Sequence, residues 1–333
     1  MAIRALSFII ATSLFCSTTA HASELNIYTY PSFVAEWGPG PAIKTAFEAR
    51  CQCVVNFVAL DSSVDILQRL RLEGDSTEAD LVLGLDNGTM EAARKTGLLD
   101  SHDTDLTALE LPIDWQDETF VPYDWGYFAF VYDTEQLSSP PQSMEALIDA
   151  PDDLKIIIQD PRTSTPGLGL LLWIRHIYGE QAPEKWQALK GKILTTTKSW
   201  SDGYFSLFMN GEAPMILSYS TSPAYHMAID NTERYQAAEF DEGHYLQVEV
   251  AAVVANSDQQ ALAREFLAFM LTPAFQNHIP LKNVMYPAID LGDDMPEVFD
   301  RLIEPETTRY FPPATVSANR RAWVDEWLNA MTR

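Results

Sequence analysis

The chain has 333 residues, 47% of them hydrophobic, and a formal net charge of -25 at pH 7. That size and apolar fraction are ample for two domains with cores of their own. The acidic excess argues against nucleic acid as a partner, because phosphate binding needs a basic face; it suits a cationic ligand, and equally a plain solvated acidic surface.

Residues 1–22 read as a signal peptide. Arg4 supplies a short positive region, Leu6 to Leu14 is mostly apolar, and Ala20-His21-Ala22 fits a small-residue cleavage site. Phe15, ahead of Cys16, is too large for a usual lipobox, so a soluble exported protein is expected. No later stretch reaches about 18 consecutive apolar residues, so no transmembrane helix is expected. Cleavage leaves Cys51 and Cys53. With one residue between them they either bridge, in a tight ring that an oxidising compartment permits, or stay reduced. Two thiolates are too few for a closed zinc site.

Leu25 to Tyr30 alternates as a first strand, and Pro31-Ser32-Phe33 is a break. Beyond Trp37 and the Gly-Pro-Gly-Pro run, a helix is expected from about Ala42 to Ala49, then a second strand over Val54 to Leu60. Asp61-Ser62-Ser63 caps a helix whose apolar positions are Val64, Ile66, Leu67, Leu70 and Leu72. A third strand, Ala79 to Leu85, precedes Asp86-Asn87-Gly88 and a helix from about Met90. This rhythm predicts a parallel sheet with helices on its faces. Ligands collect beyond the C-terminal strand ends of such sheets, where Tyr30, Asp61-Ser62-Ser63 and Asp86-Asn87 stand.

Thr119 to Asp133 reads as one long extended segment around Tyr123-Asp124-Trp125-Gly126-Tyr127, suited to crossing between lobes. A short helix near Met144 to Ile148 follows. Leu154 to Ile158 is a buried strand, and Gln159 to Gly167 is a polar loop. The helix from Leu168 to Tyr178 has Pro166 placed for its first turn. Helix N-termini present free N–H groups, and the hydroxyls of Ser164 and Thr165 add to them. A single N-cap uses one hydroxyl, so the run Thr163-Ser164-Thr165 leaves spares for an anion or polar ligand edge.

Pro183 to Leu189 is helical, and Ile193 to Thr197 is a strand ending at Ser199-Trp200-Ser201-Asp202, before a helix over Gly203 to Met209. The strand Pro214 to Tyr219 leads into Ser220-Thr221-Ser222-Pro223-Ala224-Tyr225, a second hydroxyl-rich loop ahead of a helix. Tyr245 to Val254 is the return crossing. Gln260 to Met270 and Pro273 to Asn277 are helices, Met285 to Ala288 is a loop, and Val316 to Met331 is a final helix. The expected fold class is α/β, a two-lobed solute-binding architecture with two crossing strands. One lobe comprises 23–126 with 249–305, and the other 127–248 with 306–333.

No Gly-x-Ser-x-Gly, Walker A, His-Glu-x-x-His or dinucleotide Gly-x-Gly-x-x-Gly motif occurs. The histidines are scattered and lack metal-ligand spacing, so neither a catalytic set nor a metal site is expected. The strand-end residues are instead Tyr, Trp, Ser, Thr and Asp. Rings attract cations and stack flat heterocycles, while hydroxyls fix polar edges. The pattern describes a small, planar, charged ligand that is held and not transformed.

The chain also resembles the periplasmic thiamine-binding proteins of bacterial thiamine ABC transporters. The resemblance runs through Tyr28-Thr29-Tyr30, Trp37 to Pro41, Asp80 to Asn87, Asp124 to Tyr132, Gln159 to Leu172, Tyr219 to His226, Glu242 to Glu249 and Met285-Tyr286-Pro287. It implies binding of thiamine, thiamine monophosphate or thiamine diphosphate in the periplasm, and delivery to an inner-membrane permease with its ATPase; a monomer is expected, as the default for a protein that docks on a permease. Carried over by position, it implies ligand contacts from Tyr30, Trp37, Asp61, Ser62 and Ser63 in the first lobe. From the second come Ser164, Thr165, Trp200, Tyr219, Ser220, Thr221, Ser222 and Tyr225. Tyr30, Tyr225 and Trp200 would face the rings, Asp61 or Asp124 would offset the cation, and Ser164, Thr165, Ser220 and Thr221 would hold a phosphate. Two positions depart from the family pattern: Ser62-Ser63 stands where Asp-Gly is frequent, and Val284 where Trp is frequent. The rivals are another planar heterocyclic cation, a polyamine, a metal as in ferric relatives, or a thiamine-degrading enzyme with a cysteine nucleophile.

Overall fold

A computed structural model describes residues 22–332; the expected signal peptide lies outside the described residues, apart from Ala22. Among the described residues, eleven strands make one connected sheet: β1 (Glu24–Thr29), β2 (Val54–Ala59), β3 (Leu81–Asp86), β4 (Val121–Asp133), β5 (Ile156–Gln159), β6 (Ile193–Thr197), β7 (Met215–Tyr219), β8 (Tyr235–Ala237), β9 (His244–Val253), β10 (Tyr286–Pro287) and β11 (Thr308–Arg309). The main path runs β2-β1-β3-β9-β4-β7-β5-β6. β1 is parallel to β2 and β3, and β5 is parallel to β6 and β7. Between these two parallel groups lie β9 and β4, antiparallel to each other and to their flanking strands. β4 pairs with β9 through Val121–Tyr127 and with β7 through Phe128–Tyr132, so a single strand serves both halves.

Side-chain alternation builds the layers. Leu25 and Ile27 of β1 pack with Phe47 and Phe266 on one face, while Tyr28 joins Ile66 and Leu70 on the other. In the other half, Phe130 of β4 and Leu217 of β7 pack with Trp173 and Trp186. The last helix, Pro313–Thr332, adds Val316, Trp323 and Trp327 to that cluster.

Several expectations shift. Pro31-Ser32-Phe33 is a short helix, Pro31–Val34, because proline suits a first helical turn. Pro41 likewise sits in the opening turn of the next helix, which therefore starts at Gly40. Leu72 is 84% exposed: the buried stripe of its helix runs through Val64, Ile66, Leu67 and Leu70, and Leu72 falls off it. The helix expected from Gly203 begins at Trp200, since the Ser199 hydroxyl accepts from the Asp202 N–H. The loop around Tyr286 contains β10, which pairs with Trp125 and Asp124 of β4. Among the described residues no helix is long and apolar enough to cross a membrane.

Candidate functional site

A cleft of about 550 Å³ opens where the two parallel groups of strands face each other. Helix starts supply its hydroxyl wall. Ser62 is the N-cap of Ser63–Glu73, and its oxygen accepts from the Asp65 N–H. Ser164 is the N-cap of Thr165–Tyr178, but its side chain makes no capping bond. The two helices meet through side chains: the Ser63 and Thr165 hydroxyls are 2.8 Å apart, and Ser63 also donates to Asp86 Oδ2 at 3.0 Å. Ser63 has one proton, so Thr165 is the donor to it. Gly167 lets its helix approach β5, since a Cβ there would lie 2.5 Å from the Gln159 carbonyl oxygen. At the mouth, Lys198 Nζ reaches Asp61 Oδ2 at 2.5 Å.

An aromatic wall faces these hydroxyls. Trp200 stacks on Tyr204 at 4.9 Å and donates its indole N–H to Ser218 Oγ at 2.8 Å. Ser218 in turn lies 2.8 Å from Ser222 Oγ. Behind Tyr204 is a chain of polar groups: its hydroxyl is 2.8 Å from His226 Nε2, and His226 Nδ1 is 2.7 Å from Asp230. Burial holds His226 below the usual imidazole range, against the pull of Asp230. Trp37 and Phe205, 42% and 43% exposed, meet edge to face across the rim with centroids 6.1 Å apart.

The third wall is acidic. Along β9, Leu246, Val248 and Val250 turn to the core, so Gln247 and Glu249 turn the other way. Glu249 lines the cleft, and its Oε2 accepts from the hydroxyls of Tyr30 and Tyr123, both at 2.7 Å. Asn283 Nδ2 lies 2.6 Å from Asp124 Oδ2 and 3.0 Å from the Tyr30 hydroxyl. Burial, and then the neighbouring Glu249 charge, push Asp124 well above the usual carboxylate range; burial raises Glu249 despite its tyrosine donors. Burial first, then Glu249, also holds Tyr30, Tyr123 and Tyr219 well above the phenol range, so they are neutral donors.

Tyr30, Trp37, Asp61, Ser62, Ser63, Ser164, Thr165, Trp200, Tyr219, Ser222 and Tyr225 all line the cleft. Asp124, Ser220 and Thr221 do not. Asp124 is fully buried beneath Glu249 and Asn283. Ser220 extends the β7–β4 pairing by donating its N–H to Tyr127, and its hydroxyl is turned inside. The buried Thr221 hydroxyl packs against the Met285 sulfur. Only the third hydroxyl of that run, Ser222 at the helix start, reaches the cleft. The sequence reading missed Glu249, Asn283, Lys198, Tyr204 and Phe205 as lining residues. The available signal for Glu249 was a pair of polar residues, Gln247 and Glu249, at alternate positions in an otherwise apolar strand.

Cys51 and Cys53 form a disulfide ahead of β2, at the end of that strand away from Asp61. Among the described residues there is no group of three or more His, Cys, Asp or Glu arranged to hold a metal ion.

Two parallel-stranded lobes, joined by long shared strands with a polar and aromatic cleft between them, define a solute-binding protein of the extracellular type. The chain belongs to the bacterial extracellular solute-binding protein family, which it matches over residues 32–277. It is 51% identical over 321 residues to the thiamine-binding periplasmic protein of Escherichia coli, covering 96% of this chain and 97% of that one. It is 50% identical over 310 residues to the thiamine-binding periplasmic protein of Brucella abortus, covering 93% and 92%. A solved periplasmic thiamin binding protein superposes with a TM-score of 0.91 at 50% identity, over 98% of this chain and 100% of that one. The ferric binding protein from Campylobacter jejuni, at 17% identity and a TM-score of 0.77 over 92% and 99% of the two chains, shares the fold.

Proposed function

We propose that this protein binds thiamine between its lobes in the periplasm and delivers it to an ABC-type permease in the inner membrane. One observation carries the reading: the chain is about half identical, over nearly its whole length, to thiamine-binding periplasmic proteins. The cleft chemistry supports it. Tyr30, Trp200 and Tyr225 offer rings to a flat aminopyrimidine and to a thiazolium cation. Glu249, with Asp124 behind it, supplies the opposing charge. Ser164, Thr165 and the N–H groups of their helix start, with Ser62, Ser63 and Lys198 across the mouth, suit the phosphate of a thiamine mono- or diphosphate. That assignment replaces Ser220 and Thr221, whose hydroxyls are buried away from the cleft.

The protein works as a monomer with a permease and its ATPase, and it holds its ligand without transforming it. The bonded cysteines offer no thiolate nucleophile, which supports binding over thiamine cleavage. Calorimetric titration of thiamine and thiamine diphosphate into the refolded, ligand-free mature protein tests the reading. Submicromolar binding of either is expected, and their ratio reads the hydroxyl wall. No heat with either from a folded protein overturns the ligand assignment.

A further inference from the structure

Asp124 and Glu249 stand directly opposite each other across β4 and β9, the two strands shared between the lobes. The pairing register slips between Pro122 and Asp124, and such a slip re-aims the side chains that follow it. Glu249 faces the cleft. Asp124 is fully buried behind it, and its Oδ1 has no hydrogen-bond partner among the described residues. Asn283 Nδ2 bridges the two, 2.6 Å from Asp124 Oδ2 and 3.5 Å from Glu249 Oε2.

The surroundings supply donors, and among the described residues no Lys, Arg or His pairs with Asp124 or Glu249; Lys198, which lines the same cleft, is paired with Asp61 at its mouth. Tyr30 comes from the end of β1, Tyr123 from β4 and Tyr219 from β7, and all three are neutral. Gln247 donates to Glu249 Oε1 at 2.9 Å. Asp86 of β3 adds a further carboxylate whose charge bears on Glu249. The Arg320 guanidinium acts on Asp86. Two buried carboxyl groups on one side of a cleft, with no cation to pair them, cannot both ionise at ordinary cost. Ionising both is therefore opposed until a cation stands beside them.

We infer that the Asp124–Glu249 pair shares a proton in the ligand-free protein and that a cationic ligand entering the cleft expels it, so that binding and deprotonation of the pair are one exchange. The O–H bond of the pair breaks, the proton passes to the solvent buffer, and the ligand's positive charge takes its place beside two carboxylates. The inference rests on the thiamine reading above. It makes affinity rise with pH, by up to about tenfold per pH unit while one proton is exchanged. It also makes the pair a selector for charge: a neutral ligand of the same shape leaves the proton where it is.

The test is calorimetry of thiamine binding to the mature protein at several values between about pH 5 and about pH 8, in buffers of different ionisation enthalpy. Titration of thiamine's own aminopyrimidine is measured separately and subtracted. Release of close to one proton at the acid end is expected, with none for a neutral thiophene analogue of thiamine. Glu249→Gln, shown to be folded by circular dichroism, should lose the release and flatten the pH dependence. Asp124→Asn provides a second variant with the same expected loss. Full-strength thiamine binding with no proton exchanged, or undiminished release in the folded variants, overturns the inference while leaving the ligand reading intact. No thiamine binding at any pH overturns both.

Discussion

The hydroxyls of Ser63 and Thr165 lie 2.8 Å apart although 102 residues separate them in the chain. Each stands in the first turn of its helix, and the bond spans the cleft. Thr165 donates to Ser63, and Ser63 donates to the buried Asp86 carboxyl. Ser63→Ala removes a donor from Asp86 as well as the cross-cleft contact, so a loss of about 1–3 kcal/mol in stability is expected. Thr165→Val keeps the Ser63–Asp86 bond and should cost stability less. Both should weaken thiamine diphosphate more than thiamine. A double-mutant cycle on diphosphate affinity reads the coupling; strictly additive losses would show that the two hydroxyls act separately.

Gly84 controls the position of Tyr30. The β3–β9 register slips between Leu83 and Leu85, and Gly84 has a φ of +109°, a region that L side chains rarely adopt. A Cβ there would sit 2.4 Å from a Tyr30 ring carbon. Gly84→Ala therefore strains the backbone and displaces a ring that lines the cleft and bonds Glu249. A stability loss of about 1–3 kcal/mol is expected, with thiamine affinity down by about tenfold or more, the equivalent of about 1.4 kcal/mol. Thermal unfolding and calorimetry measure the two effects, and unchanged affinity would show that Tyr30 is not a ligand contact.

Val284 is a β-branched residue at φ +57°, a conformation that costs about 1–2 kcal/mol for an L residue. Its neighbours Asn283 and Met285 both line the cleft, and β10 pins the chain immediately beyond them. Val284→Gly should relieve the strain and raise the melting temperature if Asn283 keeps its bonds to Tyr30 and Asp124. Val284→Trp keeps the strain and adds a ring at the cleft wall, so thiamine binding should tighten. Weaker binding by the tryptophan variant, with the fold intact, would show that the valine side chain leaves room the ligand uses.

Local chemistry made part of this legible in advance. Ser164 and Thr165 follow a buried apolar strand and precede a proline, so a helix start with spare hydroxyls was readable from the residues alone. Ser220, Thr221 and Ser222 form a run of equivalent chemistry, and only the position of the helix start decides which of them faces the cleft. Glu249 lies in an apolar, β-branched run, buried throughout, whose cleft-facing side is fixed by its pairing with β4, a contact between strands far apart in sequence. Asn283 reaches the cleft through the backbone turn at Val284, and a valine gives no sign of a left-handed conformation. Long-range register and backbone sign were thus the two unreadable quantities.

Stability of the ligand-free protein should carry two opposite pH signatures. The carboxyls of Asp86, Asp124 and Glu249 are raised, chiefly by burial. The folded form thus holds their protons more tightly than the unfolded chain does. Their contribution is complete below the ordinary carboxylate range near about pH 4 and is lost as pH rises through the raised values. Asp133 is held low by the Arg234 guanidinium, which grips it at 2.8 and 2.6 Å. Its contribution is present above about pH 4 and is lost as pH falls through the depressed value. His102, His176, His226, His244 and His278, all held low chiefly by burial, add stability as pH rises through the imidazole range at about 6.5, so the raised carboxyls should show as a decline in the melting temperature on the alkaline side of that range. Overall repulsion from a net charge of -25 acts in the same direction, so Glu249→Gln is the control. It removes one raised carboxyl and should flatten the alkaline decline by more than a surface Glu110→Gln change does. Saturating thiamine should flatten it too, because the bound cation takes over the role of the proton. An alkaline decline as steep in Glu249→Gln as in the parent protein would mean that Asp124 and Glu249 are already ionised without a ligand.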